Sequence, residues 1–183
     1  MAAAGVVGTP GYVVAMTLTG ERAELAESLG KARFFLRNTL RDLDPEQVTR
    51  RSTVSELTLA GLIKHAAMVE RRWCRFIEEG PSAMGSADDP FRTEKFLESF
   101  RLLEGETLAE FAAEYEAVAA ETDALLAVVD LDARQPLPEA PWYPPGATWS
   151  ARRVILHLIA ETAHHSGHAD IIRESIDGAK SMG

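Results

Sequence analysis

Residues 149–178 read WSARRVILHLIAETAHHSGHADIIRESIDG, and the spacing of their apolar side chains predicts one long amphipathic helix. Ser150 can cap the start of this helix with its hydroxyl oxygen. Gly178 suits the left-handed position that follows the last turn. We therefore expect a helix from Ser150 to about Ile176, with one face packed against a protein core.

Three earlier stretches show the same helical spacing. They cover residues 21–42, 59–79 and 107–129, and Thr58 can cap the second of them. The sequence contains no convincing strand-like alternation and no repeat of fixed period. Four long helices, each with an apolar stripe, predict an all-α fold, namely a four-helix bundle.

Two connections are longer than a simple up-and-down bundle needs. Residues 80–106 are largely polar, and their first half to residue 95 is expected to be a loop. Residues 131–147 hold five of the nine prolines and are expected to be an irregular connector. We therefore predict one or two long crossover loops, and such loops can form the rim of a pocket.

Composition limits the classes of protein that this chain can represent. We expect one domain over residues 16–183 and a flexible extension over residues 1–15, with Met16 as a natural start. The net charge of −9 argues against nucleic acid as a partner, and no apolar run is long enough to cross a membrane. The single cysteine, Cys74, excludes an intrachain disulfide, so we expect a cytoplasmic protein.

One side of the last predicted helix carries potential metal ligands within an arc of about 100°. These ligands are His157, Glu161, His164, His165 and His168. A further imidazole, His65, lies on the apolar face of the second long helix. An i,i+4 pair from the last helix, together with His65, would give three ligands and leave one position open for water or substrate.

Residues 57–73, LTLAGLIKHAAMVERRW, together with 149–178 resemble the DinB/YfiT-like superfamily and its actinobacterial mini-circle-protein branch. The resemblance spans about residues 17–178. It implies a four-helix bundle, often dimeric, that holds a divalent metal through His65, Glu161 and His165. Its relatives include thiol-dependent S-transferases and a maleylpyruvate isomerase, which use mycothiol, bacillithiol or glutathione.

The resemblance therefore suggests a metal-dependent S-transferase that joins a low-molecular-weight thiol such as mycothiol to a small-molecule electrophile. Zn²⁺ or Ni²⁺ is the expected ion, and a homodimer is the expected assembly. A metal-dependent hydrolase and a non-catalytic metal-binding bundle are the alternatives, because the same three ligands serve each of them. His168 is either a fourth ligand or a catalytic residue that shuttles protons or contacts an anion.

Other side chains have simpler interpretations. His157 either orients Glu161 or packs between helices, and His164 is expected to be exposed or to lie at an interface. Glu70 is expected to form a surface salt bridge, and Cys74 to be a buried, unreactive thiol. Three bulky residues in succession at 34–36 suggest an interface, because they cannot all face one core.

Overall fold

The computed structural model of the protein describes residues 18–85 and 92–181. The predicted extension over residues 1–15 lies outside these ranges. The described chain contains four long helices: α1 (Glu21–Asn38), α3 (Leu59–Glu79), α5 (Leu108–Val128) and α6 (Ala151–Asp177). The shorter elements are α2 (Pro45–Thr49), a 3₁₀ helix (Gly80–Met84), α4 (Arg92–Glu98), β1 (Arg134–Pro136) and β2 (Thr148–Ser150). The predicted all-α class is confirmed.

Local capping sets most helix ends where the sequence predicted them. The Thr58 side chain accepts a hydrogen bond from the Gly61 amide at the start of α3, and Ser150 does the same for Arg153 in α6. Gly178 closes α6 with φ 79°, the left-handed conformation that suits glycine. These contacts involve residues three or four positions apart, which is why sequence alone reveals them.

The first helix ends at Asn38 and not at Asp42. After Asn38 the backbone tightens into turns with i→i−3 hydrogen bonds, and Arg173, on α6, donates hydrogen bonds to the carbonyls of Thr39 and Arg41, at 2.8 and 2.6 Å. Asp42 then adopts φ 59°, which no residue within a helix can hold. The partner lies more than a hundred positions away, so the helical spacing could not show this early end.

The long helices form a ring in which α1 packs on α6, α6 on α3, α3 on α5 and α5 on α1. One core cluster joins the beginnings of α1 and α6 to the ends of α3 and α5. The other cluster joins the opposite ends of the same helices. Thus α1 and α6 run in one direction and α3 and α5 in the other. The segment between α3 and α5 must cross the full length of the bundle, as the predicted long crossover does.

This crossover packs directly against the first two turns of α3. A β-carbon at Gly61 would come within 1.8 Å of the carbonyl oxygen of Phe100, so only glycine permits the contact. The buried Lys64 ammonium donates to the Arg101 carbonyl at 3.1 Å and to Glu106 at 2.5 Å. These contacts hold residues 99 and 100 beside the first half of α3.

The expected loop and connector contain more regular structure than predicted. A 3₁₀ helix and α4 occupy parts of residues 80–98. In the proline-rich connector β1 and β2 pair antiparallel, with Arg134 opposite Ser150. Each strand has three residues, which is too short for alternation to be recognised in a sequence.

The prediction for Glu70 is wrong, because this carboxylate is buried in the core. It forms an ion pair with the buried Arg33 guanidinium, and it accepts a hydrogen bond from the Thr122 hydroxyl at 2.6 Å. Arg33 also contacts Asp123 at 2.9 Å. This network ties α1, α3 and α5 together, and each buried charge depends on its partners.

Removing the Glu70 carboxylate should therefore destabilise the fold. We expect Glu70→Ala to lower the free energy of unfolding by about 3 kcal/mol, because the buried Arg33 guanidinium loses its buried partner and keeps only the partly exposed Asp123. Urea unfolding followed by circular dichroism measures the effect. Glu56→Ala, which removes the exposed partner of Arg51, is the control and should leave the midpoint unchanged. Equal midpoints for the two variants would contradict the assigned network.

Candidate metal centre

Two helices bring three potential ligands to one place. His65 comes from α3, and Glu161 and His165 come from successive turns of α6. One donor atom from each residue lies within 4.8 Å of the other two. Within residues 18–85 and 92–181, no other group of three histidine, cysteine or acidic side chains meets this condition. The residues implied by the resemblance are therefore adjacent in space.

The spacing of these atoms fits a small divalent ion. Glu161 Oε1 lies 3.5 Å from His65 Nε2 and 3.3 Å from His165 Nε2. Two ligands with bonds of about 2.0 Å in a tetrahedral shell are about 3.3 Å apart. Each of the two nitrogens thus stands at the distance from the carboxylate oxygen that a zinc-sized ion requires.

The tautomer of His65 follows from its neighbour Ser99, on the crossover. The Ser99 hydroxyl donates its only proton to the Phe96 carbonyl at 2.6 Å. His65 Nδ1 lies 2.8 Å from the same hydroxyl oxygen, so Nδ1 must carry a proton and donate it. In the neutral ring, Nε2 then presents a lone pair to Glu161. Two acceptors that face each other in this way favour a cation between them.

Aromatic rings cover the remaining surface of His65. The Phe100 ring stacks on the imidazole with centroids 3.8 Å apart, and Phe96 approaches edge-on at 5.9 Å. The His65 side chain is only 2% exposed. This burial lowers the pKa of His65, so the ring is neutral at pH 7.

Glu161 supplies the negative charge of the cluster. Its contacts with the His165 and His65 rings hold the pKa of Glu161 well below its ordinary value, so the side chain is a carboxylate. It is 29% exposed, whereas His65 is almost fully buried. The cluster therefore opens to solvent on the side of Glu161, where a fourth ligand can enter.

The sequence of this chain matches a known protein family. A family model described as mycothiol-S-transferase matches residues 24–178. The chain belongs to the mycothiol-S-transferase family. The resemblance to the DinB/YfiT-like superfamily is thereby confirmed. No curated protein sequence matches the chain.

A crystal structure of a conserved protein from Enterococcus faecalis has the same fold as this family member. The TM-score is 0.60 with 15% sequence identity, over 88% of this chain and 100% of that chain. At such low identity the likeness concerns the fold alone. Within the described residues, no helix is long and apolar enough to span a bilayer.

His168 lies behind His165 and outside the ligand cluster. His165 Nε2 faces Glu161, while its other ring nitrogen, Nδ1, lies 3.4 Å from Nδ1 of His168. Burial lowers the pKa of His168, so the ring is neutral at pH 7 and can accept a hydrogen bond from His165. His164 is exposed, as predicted, and its ring stacks on His165 with centroids 5.6 Å apart.

His157 and Cys74 are placed away from the three donor atoms. The His157 ring packs edge-on against Trp73 and Trp149, at 4.8 and 5.2 Å, which favours the packing interpretation. The Cys74 thiol is buried against Thr122, and burial raises its pKa to about 12. The predicted burial of this thiol is confirmed, and the raised pKa is consistent with the predicted lack of reactivity.

Ser99, Phe96 and Phe100 were missed by the sequence analysis. They lie on the crossover, about 35 positions after His65, and no spacing rule links them to it. The close approach at Gly61 brings them to the centre. A glycine one turn before a candidate ligand was the available sequence signal, because it permits a backbone to lie against the helix.

The protonation of the candidate ligand side chains predicts how the affinity for Zn²⁺ depends on pH. The affinity for Zn²⁺ should be nearly constant between about pH 7 and 8, and should fall as the pH drops below about 6. Protons then compete for the imidazole nitrogens, while the Glu161 carboxylate stays charged. Competition titration with a chromophoric chelator measures the affinity. An affinity that is unchanged down to pH 5 would exclude imidazole ligands.

Proposed function

We propose that the protein is a metal-dependent S-transferase, which joins a low-molecular-weight thiol such as mycothiol to a small-molecule electrophile. His65, Glu161 and His165 hold the divalent ion, Zn²⁺ or Ni²⁺. The convergence of their donor atoms within 4.8 Å carries this proposal. Membership of the mycothiol-S-transferase family supports the choice of thiol.

The ligand set suits catalysis better than a purely structural role. Two imidazoles and one carboxylate leave one coordination position for a substrate, and the exposed side of Glu161 gives access to it. When bound, the ion supplies a positive charge that lowers the pKa of a thiol at that position. His65 and His165 keep their lone pairs available because both Nδ1 atoms have partners.

The chain itself cannot supply the sulfur nucleophile. Its only cysteine, Cys74, is buried and stays protonated at neutral pH, because its pKa is about 12. The thiol must therefore be a separate substrate. In the transfer, this thiol loses its proton to solvent, its sulfur forms a bond to the electrophilic carbon, and the leaving group departs with the bonding electron pair.

Ser99 and His168 act as positioning residues in this proposal. Each contacts the Nδ1 atom of a ligand histidine, the nitrogen that points away from the cluster. Such partners fix the ring orientation and the tautomer. We therefore assign His168 to holding His165, in preference to the expected roles of fourth ligand or catalytic residue.

Removing one ligand side chain should abolish both ion binding and thiol transfer. We expect His65→Ala to lose the equimolar ion and to reduce thiol-transfer activity more than about 100-fold. Elemental analysis and conjugation of mycothiol to an alkylating electrophile measure the two effects. Glu56→Ala, at an exposed site away from the cluster, is the control and should retain both.

Two results would contradict the proposal. One is wild-type protein that binds no stoichiometric ion after incubation with Zn²⁺ or Ni²⁺. The other is ion-dependent turnover of a substrate in the absence of any thiol, which would identify the metal-dependent hydrolase instead.

The positioning role of Ser99 makes a separate prediction. Ser99→Ala removes the acceptor of the His65 Nδ1 proton and should weaken Zn²⁺ binding about 10–100-fold, whereas Ser99→Thr keeps the hydroxyl and should restore it. Competition titration again gives the affinity. Ser82→Ala, at an exposed serine in the 3₁₀ helix, is the matched control. Equal affinities for all these variants would show that His65 needs no such support.

A further inference from the structure

The ring of His157 is held firmly in place, but neither of its nitrogen atoms has a hydrogen-bond partner in the described part of the chain. Trp73 and Trp149 stack on each other with centroids 4.8 Å apart, and both contact the His157 ring edge-on. The two ligand histidines, in contrast, each have a partner at Nδ1. The half-buried His157 ring therefore has a polar edge that is free to bind another molecule.

His157 stands beside the open side of the candidate metal centre. It lies one turn before Glu161 on the same side of α6, about 40° away around the helix axis and about 6 Å along it. Trp73, which contacts His157, comes eight positions after His65 on α3. His157 likewise comes eight positions before His165, whose ring contacts that of His65. The two pairs of rings therefore follow each other along the contact between the antiparallel helices α3 and α6.

His157 is neutral at pH 7, so it offers one N–H donor and one lone pair. Burial is the main cause that lowers its pKa; the Glu161 carboxylate opposes this shift, and the Arg153 guanidinium adds to it. A neutral imidazole can donate a hydrogen bond to an oxygen atom that gains negative charge during a reaction. The ring is fixed before the reaction begins, because two indoles hold it.

The position of His157 suits the leaving group of the proposed thiol transfer. The thiol sulfur, held at the ion, attacks a carbon atom, and the leaving group departs on the opposite side of that carbon. A side chain that stabilises the leaving group must therefore stand further from the ion than the sulfur does. His157 meets this requirement, because it lies one turn beyond Glu161 in the direction away from His165.

We propose that His157 is a catalytic residue that donates a hydrogen bond to an oxygen leaving group, and that the electrophile is an epoxide with an apolar body. This inference rests on the proposed thiol transfer. The sulfur forms a bond to one ring carbon, the bond from that carbon to the epoxide oxygen breaks, and its electron pair stays on the oxygen. The oxygen remains attached to the neighbouring carbon and takes up one proton from solvent, which balances the proton that the thiol released.

An epoxide matches the surroundings of His157 better than an alkyl halide does. The charge that develops on the small epoxide oxygen is concentrated, so it gains more from one N–H donor than the charge of a large halide ion does. Next to His157, Trp149 is half-buried, and Tyr143 packs edge-on against it at 5.8 Å. An apolar substituent of the epoxide therefore has an aromatic surface to pack on.

A matched pair of substrates separates hydrogen bonding by His157 from its packing. Styrene oxide and 2-phenylethyl iodide share a phenyl group, but only the first has an oxygen leaving group. His157→Phe keeps a ring beside the two indoles and removes the N–H. With Zn²⁺-loaded protein and mycothiol, we expect this variant to lower kcat/KM about 100-fold for the oxide and less than about 3-fold for the iodide. Leu156→Phe, at an exposed site on the same turn, is the control and should change neither value.

Binding of the two products gives a measurement that does not depend on turnover. The thioether made from the oxide carries a hydroxyl group, which the thioether made from the iodide lacks. The wild-type protein should bind the hydroxyl-bearing product about 3–10-fold more tightly, whereas His157→Phe should bind the two products equally. Isothermal titration calorimetry measures these dissociation constants. Competition with a chelator should give the same Zn²⁺ affinity for the wild type and the variant.

Three results would overturn this inference. An equal loss, or no loss, with the two substrates would show that His157 serves packing alone, and the proposed thiol transfer would still stand. Wild-type turnover of the iodide without turnover of the oxide would exclude the epoxide and would also leave the thiol transfer intact. A wild-type protein that needs no ion or no thiol would overturn the proposed function and this inference together.

Discussion

The hydrogen bond from His65 Nδ1 to the Ser99 hydroxyl is the interaction on which the proposed metal centre depends. It fixes the proton on one nitrogen and leaves the other, Nε2, with a lone pair that faces Glu161. The serine is available only because the crossover lies against α3, and the crossover fits there because residue 61 is glycine. A tertiary backbone contact thus determines the chemistry of one imidazole.

The sequence predicted those features that depend on near neighbours. Helical spacing and the caps at Thr58 and Ser150 located the long helices, and i,i+4 spacing placed Glu161 and His165 on one side of α6. Features that depend on distant partners were missed. The burial of Glu70 required Arg33, on another helix, and no pattern within either helix reveals that pair.

One helix, α6, carries two different sides. Its core side packs on α1 and α3, and a second side presents Glu161 and His165. The 27 residues of α6 make this division possible, because each side repeats over about seven turns. Stability and the proposed ion binding can therefore be changed by separate substitutions.

The location of a bound ion is the most direct test of the three proposed ligands. A crystal of the Zn²⁺-loaded protein, with anomalous diffraction recorded on both sides of the zinc absorption edge, shows where the ion lies. We predict one strong anomalous peak, from an ion bonded to Nε2 of His65, Nε2 of His165 and a carboxylate oxygen of Glu161. A peak held instead by His164 and His168 on the surface of α6, with none at His65, would contradict it.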